Sequence, residues 1–380
     1  MTRRLRVQDL PTPALLLDLE VLERNVQRMA DRVAGLGARL RPHIKTHKCI
    51  EIGRLQLQRG ARGITVATIV EAKDFAEQGF DDITWAVPVP VSRLDEVVEL
   101  ARRITFRVVV DSHEALEALA AAARAAHISA HTWLKVDCGY HRAGVDPEAT
   151  ASVELVRRLV DTPGITFDGI LTHAGHAYHA KDAAERRRIA AEERAVMVAF
   201  AERLWALGIP VPDVSVGSTP SIAAAESLEG VTEVRPGNYV FYDYMQAATG
   251  VCTVEDVAVS VLATVISHQP GAEHALVDAG ALAMSKDLGP WDPAKRRGLG
   301  PLLAGIAGAT LEPSVDLTAV SQEHGIVAGA SAADIEGRFR VGGKVRILPN
   351  HSCLTAALFD EYHVVRGEEV VDRWKIWRGR

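Results

Sequence analysis

Between residues 38 and 240, short β-branched runs alternate with longer amphipathic stretches, and nothing else in the chain restricts its fold as much. Two parallel strands need a crossover of a dozen or more residues, which a helix supplies, so this alternation builds a parallel sheet covered by helices. Strand candidates fall at 38–43, 63–69, 82–87, 105–110, 132–137, 166–172, 213–217 and 233–239. Segments such as 112–126 and 183–207, rich in Ala, Glu and Arg, supply the crossovers. Eight repeats in about 200 residues fit a (β/α)8 TIM-type barrel better than a doubly wound sheet. Ahead of them, 14–18 reads as a strand and 21–34 as a helix with Leu22, Val26, Met29 and Val33 on one face.

After residue 250 the texture changes. Val- and Thr-rich runs at 257–266, 274–278, 337–341, 344–348 and 362–365, separated by Gly and Pro, predict a mainly-β domain, with a long loop over 281–300. The fold class expected is therefore α/β, a (β/α)8 barrel followed by a C-terminal mainly-β domain. Charge narrows the function. With 49 acidic against 43 basic residues, a net of −6 and no block of like charge, the chain lacks the electrostatic footprint of a nucleic-acid binder. No uncharged apolar run reaches the ~18 residues of a membrane span, and the basic N-terminus has no apolar core of a signal peptide. A cytoplasmic protein with no membrane partner is expected. Four cysteines do not form a disulfide framework.

Barrels place their chemistry where strands end, and polar side chains gather at five of these ends. They are Arg41-Pro42-His43-Ile44-Lys45-Thr46-His47-Lys48, Asp137-Cys138-Gly139-Tyr140-His141-Arg142, Thr172-His173-Ala174-Gly175-His176-Ala177-Tyr178, Gly217-Ser218-Thr219-Pro220-Ser221 and Arg235-Pro236-Gly237-Asn238-Tyr239. Within a barrel mouth Lys45 would be desolvated and flanked by His43, His47 and Lys48, which lowers an amine pKa and suits Schiff-base chemistry. A solvated basic loop is the alternative. Gly217-Ser218-Thr219 opening a helix would offer N–H groups and hydroxyls to a phosphate, or cap the helix with Pro220 in its first turn. His351-Ser352-Cys353 puts an imidazole and a thiol on one side of an extended backbone, as ligands of an open zinc site or as core packing. His173, His176 and His179 repeat at spacing three, in a Gly-containing loop that need not keep them on one face.

In order along nearly the whole chain, Arg-Pro-His-x-Lys-Thr-His-Lys, Asp-x-Gly-x-x-Arg-x-Gly, Gly-Ser-Thr-Pro-Ser and Pro-Asn-His-x-Cys resemble the motifs of the D-serine dehydratase and D-threonine aldolase group. The resemblance implies an alanine-racemase-like fold. It divides the chain into an N-terminal strand segment, 1–20, associating with the β-domain; a pyridoxal-phosphate barrel, 21–250; and a β-domain with metal ligands, 251–380. It implies that Lys45 carries pyridoxal 5'-phosphate, that Gly217, Ser218 and Thr219 hold the phosphate together with Tyr239, and that Arg142 and Tyr178 lie against the ring. His351 and Cys353 would bind a divalent metal, and a homodimer would bring the β-domain of one subunit over the barrel of the other.

The substrates implied are small D-β-hydroxy-α-amino acids: D-serine, D-threonine or D-threo-3-hydroxyaspartate. Loss of water gives a 2-oxo acid and ammonia; retro-aldol cleavage gives glycine and an aldehyde. The aldolase branch has His-x-Asp where this chain has His351-Ser352-Cys353. A thiolate favours Zn2+, whereas a carboxylate suits Mn2+ or Mg2+, so a zinc dehydratase is expected, with those two metals as alternatives. The aldolase, an amino-acid racemase and a non-catalytic pyridoxal-phosphate protein are the other readings. A second substrate carboxylate would call for a further cation, from Arg142, Lys286 or the loop at Lys295-Arg296-Arg297.

Overall fold

The computed structural model describes residues 5–379, which separate into two compact units. One comprises Arg28–Lys45 and Ile52–Gly237 with Gly379; the other takes the described residues up to Gln27, Thr46–Glu51 and Asn238–Arg378. After strand β1 (Ala14–Asp18) and the helix Leu19–Gly35 come β2 (Arg39–Leu40), β3 (Ile64–Val66), β4 (Asp82–Pro88), β5 (Thr105–Val110), β6 (Ala130–Lys135), β7 (Ile165–Leu171), β8 (Asp213–Val216) and β9 (Glu233–Val234). The last eight form a parallel sheet in the order β2-β9-β8-β7-β6-β5-β4-β3. A parallel bridge between His43 and Thr65, with Thr65 donating its N–H to the Pro42 carbonyl at 2.8 Å, joins the two outer strands. The ring closes, as the eight repeats predict.

Local chemistry sets these elements. The strands are buried on both faces, so Ile64, Val66, Val108, Val109, Val110, Trp133 and Leu134 are each almost inaccessible. Crossover helices begin at short polar side chains that satisfy their first free N–H groups: Ser112 accepts from Ala115, Asp182 from Glu185, and Thr68 forms a reciprocal cap with Glu71. At the starts of the ring strands, charges interlock. Arg41 donates from Nε to Glu233 at 2.7 Å and from Nη1 to Asp82 at 2.6 Å.

The second unit is a nine-stranded sheet that includes β1. Its other members are β10 (Val259–His268), β11 (His274–Val277), β12 (Pro301–Leu303), β13 (Leu311–Val320), β14 (Gly325–Gly329), β15 (Lys344–Ile347), β16 (Glu361–Arg366) and β17 (Glu369–Lys375). The order is β11-β14-β13-β12-β15-β10-β1-β16-β17, and β10 also pairs with β11, so six strands curl into a ring from which β1, β16 and β17 extend. Strand β1 runs antiparallel to β10 and parallel to β16. The strand expected at 337–341 is absent: turns at Gly337 (φ +76°) and Gly342 (φ +84°) bracket it. The expected loop at 281–300 contains one helical turn, Ala281–Met284, and one 3-10 turn, Pro293–Lys295. Among the described residues no helix is long and apolar enough to cross a membrane.

Candidate active site

The five polar motifs follow the C-terminal ends of β2, β6, β7, β8 and β9. Lys45 sits in the single 3-10 turn Ile44–Thr46, its N–H 3.4 Å from His43 Nδ1. Its side chain is exposed rather than desolvated. The buried amine of the barrel is Lys135, at the end of β6. Burial first, then Arg235 and Arg142, push its pKa down to about 7, against the opposing pull of Cys138 and Glu193. Burial, then Lys135 and Lys45, also hold the His173 imidazole well below its ordinary pKa, although its Nδ1 donates to the Gly217 carbonyl at 3.2 Å. His173 is thus a neutral ring with its tautomer fixed. Exposed Arg142 lies with its guanidinium 5.2 Å over Tyr140, whose ring packs against His173 and His176. Gly175 is needed there, because a Cβ would stand 2.4 Å from the Tyr140 ring.

Glu193, buried on the helix Ala183–Ala206, accepts through one oxygen from the N–H groups of Ala174 at 2.9 Å and Gly217 at 3.0 Å. It ties the loop after β7 to the loop after β8. Ser218 caps the helix Thr219–Ala224 in a reciprocal box with Ser221, with Pro220 in the first turn. The capping geometry is therefore present, and the N–H groups of Gly217 and Ser218 are committed within the protein. Gly217 contributes backbone shape: its φ is +105°, and a Cβ would meet Ile222 at 2.8 Å. Thr219 is fully buried and Tyr178 half-buried in the turn Gly175–His179. Tyr239 belongs to the other unit, fully buried in the turn Asn238–Val240. The resulting concentration of Lys45, Lys135, Arg142 and Arg235, partly compensated by Glu193 and Glu233, fits an anionic, phosphate-bearing cofactor.

In the second unit the backbone of His351 is extended, but 351–353 is not one extended segment. His351 precedes the short helix Ser352–Ala356, and that turn brings its imidazole within hydrogen-bonding reach of Cys353. His351 Nδ1 stands 3.1 Å from Asp287 Oδ2. Burial disfavours its imidazolium, but Asp287 and Cys353 outweigh burial and hold its pKa well above the ordinary value. Around the sulfur, Thr46 Oγ1 lies at 3.2 Å and Asn238 Nδ2 at 3.5 Å. Asn238 Nδ2 also donates to Asp243 at 2.9 Å, and Asp243 accepts from the N–H of Ser352 at 3.2 Å. Among the described residues no three His, Cys, Asp or Glu side chains converge on one point, and His173, His176 and His179 form no ligand set. An imidazole with Nδ1 engaged and a thiol facing two donor groups fit an open divalent-metal site in which water and substrate complete the coordination. Sequence reading missed Lys135, Glu193, Asp243 and Asp287; each lies in a strand, helix or loop whose local pattern carries no separate signal.

A closed parallel ring continued in one chain by a curled, largely antiparallel sheet is the architecture of alanine-racemase-like proteins. The family described as "Alanine racemase, N-terminal domain" matches residues 17–245, and "Putative serine dehydratase domain" matches residues 258–365. The chain belongs to the D-serine dehydratase and D-threonine aldolase family of this fold. It is 42% identical to a D-threo-3-hydroxyaspartate dehydratase from Delftia sp. (strain HT23), over 97% of this chain and 98% of the relative. It is 36% identical to a D-serine dehydratase of Dictyostelium discoideum, over 97% of each chain. Among solved structures, the D-threo-3-hydroxyaspartate dehydratase C353A mutant in the metal-free form superimposes with a TM-score of 0.94 at 41% identity, over 99% of this chain and all of that one.

Proposed function

We propose that the protein is a pyridoxal-phosphate- and divalent-metal-dependent lyase that dehydrates D-threo-3-hydroxyaspartate or D-serine to a 2-oxo acid and ammonia, working in the cytoplasm as a homodimer. In this reading the unit of Arg28–Lys45 and Ile52–Gly237 is the cofactor barrel, and the unit with Thr46–Glu51 and Asn238–Arg378 is the metal-binding domain. When bound, pyridoxal phosphate supplies an electron sink for the α-carbon and the metal a Lewis acid for the β-hydroxyl. Lys45 would carry the cofactor, and its Nζ, once free, would accept the α-proton. Thr219 and Tyr239 would hold the phosphate, with Gly217 and Ser218 shaping the loop beside it. Arg142 and Tyr178 would hold the ring, and neutral His173 would keep a positive charge away from it. His351 and Cys353 would bind the metal.

The observation that carries this reading is the His351 and Cys353 pair with its surrounding donors and acceptors, because a racemase has no use for a metal ligand set. The relative whose C353A mutant is described as metal-free supports it. A sulfur ligand points to Zn2+ among the candidate metals. The test is product analysis with pyridoxal phosphate and Zn2+ or Mn2+ on D-serine, D-threonine and D-threo-3-hydroxyaspartate. Oxo acid and ammonia are expected; glycine and an aldehyde would replace the dehydratase by an aldolase. In parallel, Lys45→Ala should abolish the visible cofactor absorbance, and Lys48→Ala should keep it.

A further inference from the structure

We propose that Asp287 is a positioning residue that selects the His351 tautomer able to bind a divalent metal. The inference rests on the metal reading above and extends it to a residue that the motifs do not contain. A neutral imidazole has one N–H and one lone pair, and only the nitrogen bearing the lone pair can ligate. The Asp287 carboxylate, 3.1 Å from Nδ1, only accepts, so Nδ1 keeps its proton and Nε2 is the nitrogen left to offer its lone pair when a metal binds. The same hydrogen bond makes Nε2 a stronger donor to a cation and fixes the plane of the ring.

Asp287 is itself held at two points. Its Oδ1 accepts the Gly289 N–H at 2.8 Å, its main-chain carbonyl accepts Asn350 Nδ2 at 2.9 Å, and Asn350 precedes the ligand in the chain. A Cβ at Gly289 would stand 2.9 Å from the Asn350 side chain, so the loop and the ligand segment fit closely. The carboxylate therefore approaches the ring from a clamped loop. The sulfur has a counterpart arrangement: Thr46 and Asn238 can donate to Cys353, which favours the thiolate that a metal requires.

The experiment is a Co2+ titration of the full-length protein, read by the sulfur-to-metal charge-transfer band, with cofactor absorbance recorded on the same samples. Wild type is expected to show the band and Cys353→Ala to lose it; a wild type without the band would remove the metal reading, and this proposal with it. Asp287→Asn keeps an oxygen for Gly289 but can turn an amide N–H toward Nδ1, favouring the tautomer that cannot ligate. It should bind Co2+ about 10–100-fold more weakly with cofactor absorbance unchanged, and Asp287→Glu should recover part of the loss. Unchanged Co2+ affinity in Asp287→Asn, while wild type binds through sulfur, would overturn the assignment. So would joint loss of Co2+ affinity and cofactor absorbance, which marks a general structural role.

Discussion

Lys135 shows what a single residue contributes that its neighbours in sequence conceal. Its pKa in the folded protein is about 7 against an ordinary 10.5, with burial as the first cause. Between those two values the unfolded chain holds a proton that the folded protein has released, so stability from this group rises with pH across that window. Below it the buried amine is charged in both states, and its desolvation opposes folding in full. Lys135→Met should therefore raise the melting temperature of the cofactor-free protein more at pH 6 than at pH 10, which differential scanning fluorimetry at the two values would check. Glu193 acts in the opposite sense. Removing it in Glu193→Ala leaves the N–H groups of Ala174 and Gly217 unpaired, a loss of roughly 1–3 kcal/mol. Glu193→Gln keeps an acceptor oxygen and should recover much of that stability, together with the cofactor affinity that titration by absorbance would measure. Lys45 was legible because its motif names it, but its exposure was not, since strand-end position alone does not say which lysine is covered. Lys135 was unreadable for the reverse reason: it lies inside the run read as a strand over 132–137, where nothing local says that its amine is covered.

At the scale of elements, the parallel ring was the most legible part, because strands buried on both faces must be apolar nearly throughout. The β-unit was less so. Strand β13 carries Glu312, Pro313, Ser314 and Asp316, which break the alternation a sequence reading relies on; its pairing with β12 and β14 supplies the order instead. The run at 337–341 has strand-forming residues but no partner strand, and glycine turns at both ends set its path. The charged starts of the ring strands were equally hidden, since Arg41, Asp82 and Glu233 come from three separate repeats. They make a specific energetic claim. Arg41 and Glu233 are nearly inaccessible, so deleting the guanidinium leaves Glu233 buried without its counter-charge. Arg41→Met should cost about 3–5 kcal/mol, read from the midpoint of urea unfolding, whereas the double replacement Arg41→Met with Glu233→Leu should recover part of it.

Across the whole molecule, β1 precedes the parallel ring in the chain yet belongs to the other sheet, between β10 and β16. Nothing local in 14–18 says which sheet it joins, because its partners lie far along the chain. Leu15 faces Val261 and Leu17 faces Val259 on one side, and Leu16 to Asp18 run beside His363 to Val365 on the other. Val7, Leu10, Ala14 and Leu16 pack with Leu262 and Val365 in one apolar cluster. A chain that begins after Asp18 would lose this cluster and expose the backbone edges of two strands that have no other contact with each other in the sheet order. Hydrogen exchange should then show faster exchange in β10 and β16, with the parallel ring retaining its protection. A synthetic peptide of residues 5–18 added in excess should restore the slow exchange in proportion to its concentration, because it binds only the folded sheet. Unchanged protection in β10 and β16 after truncation would mean that the two strands hold without β1, and that its pairing is a consequence of the β-unit rather than a condition for it.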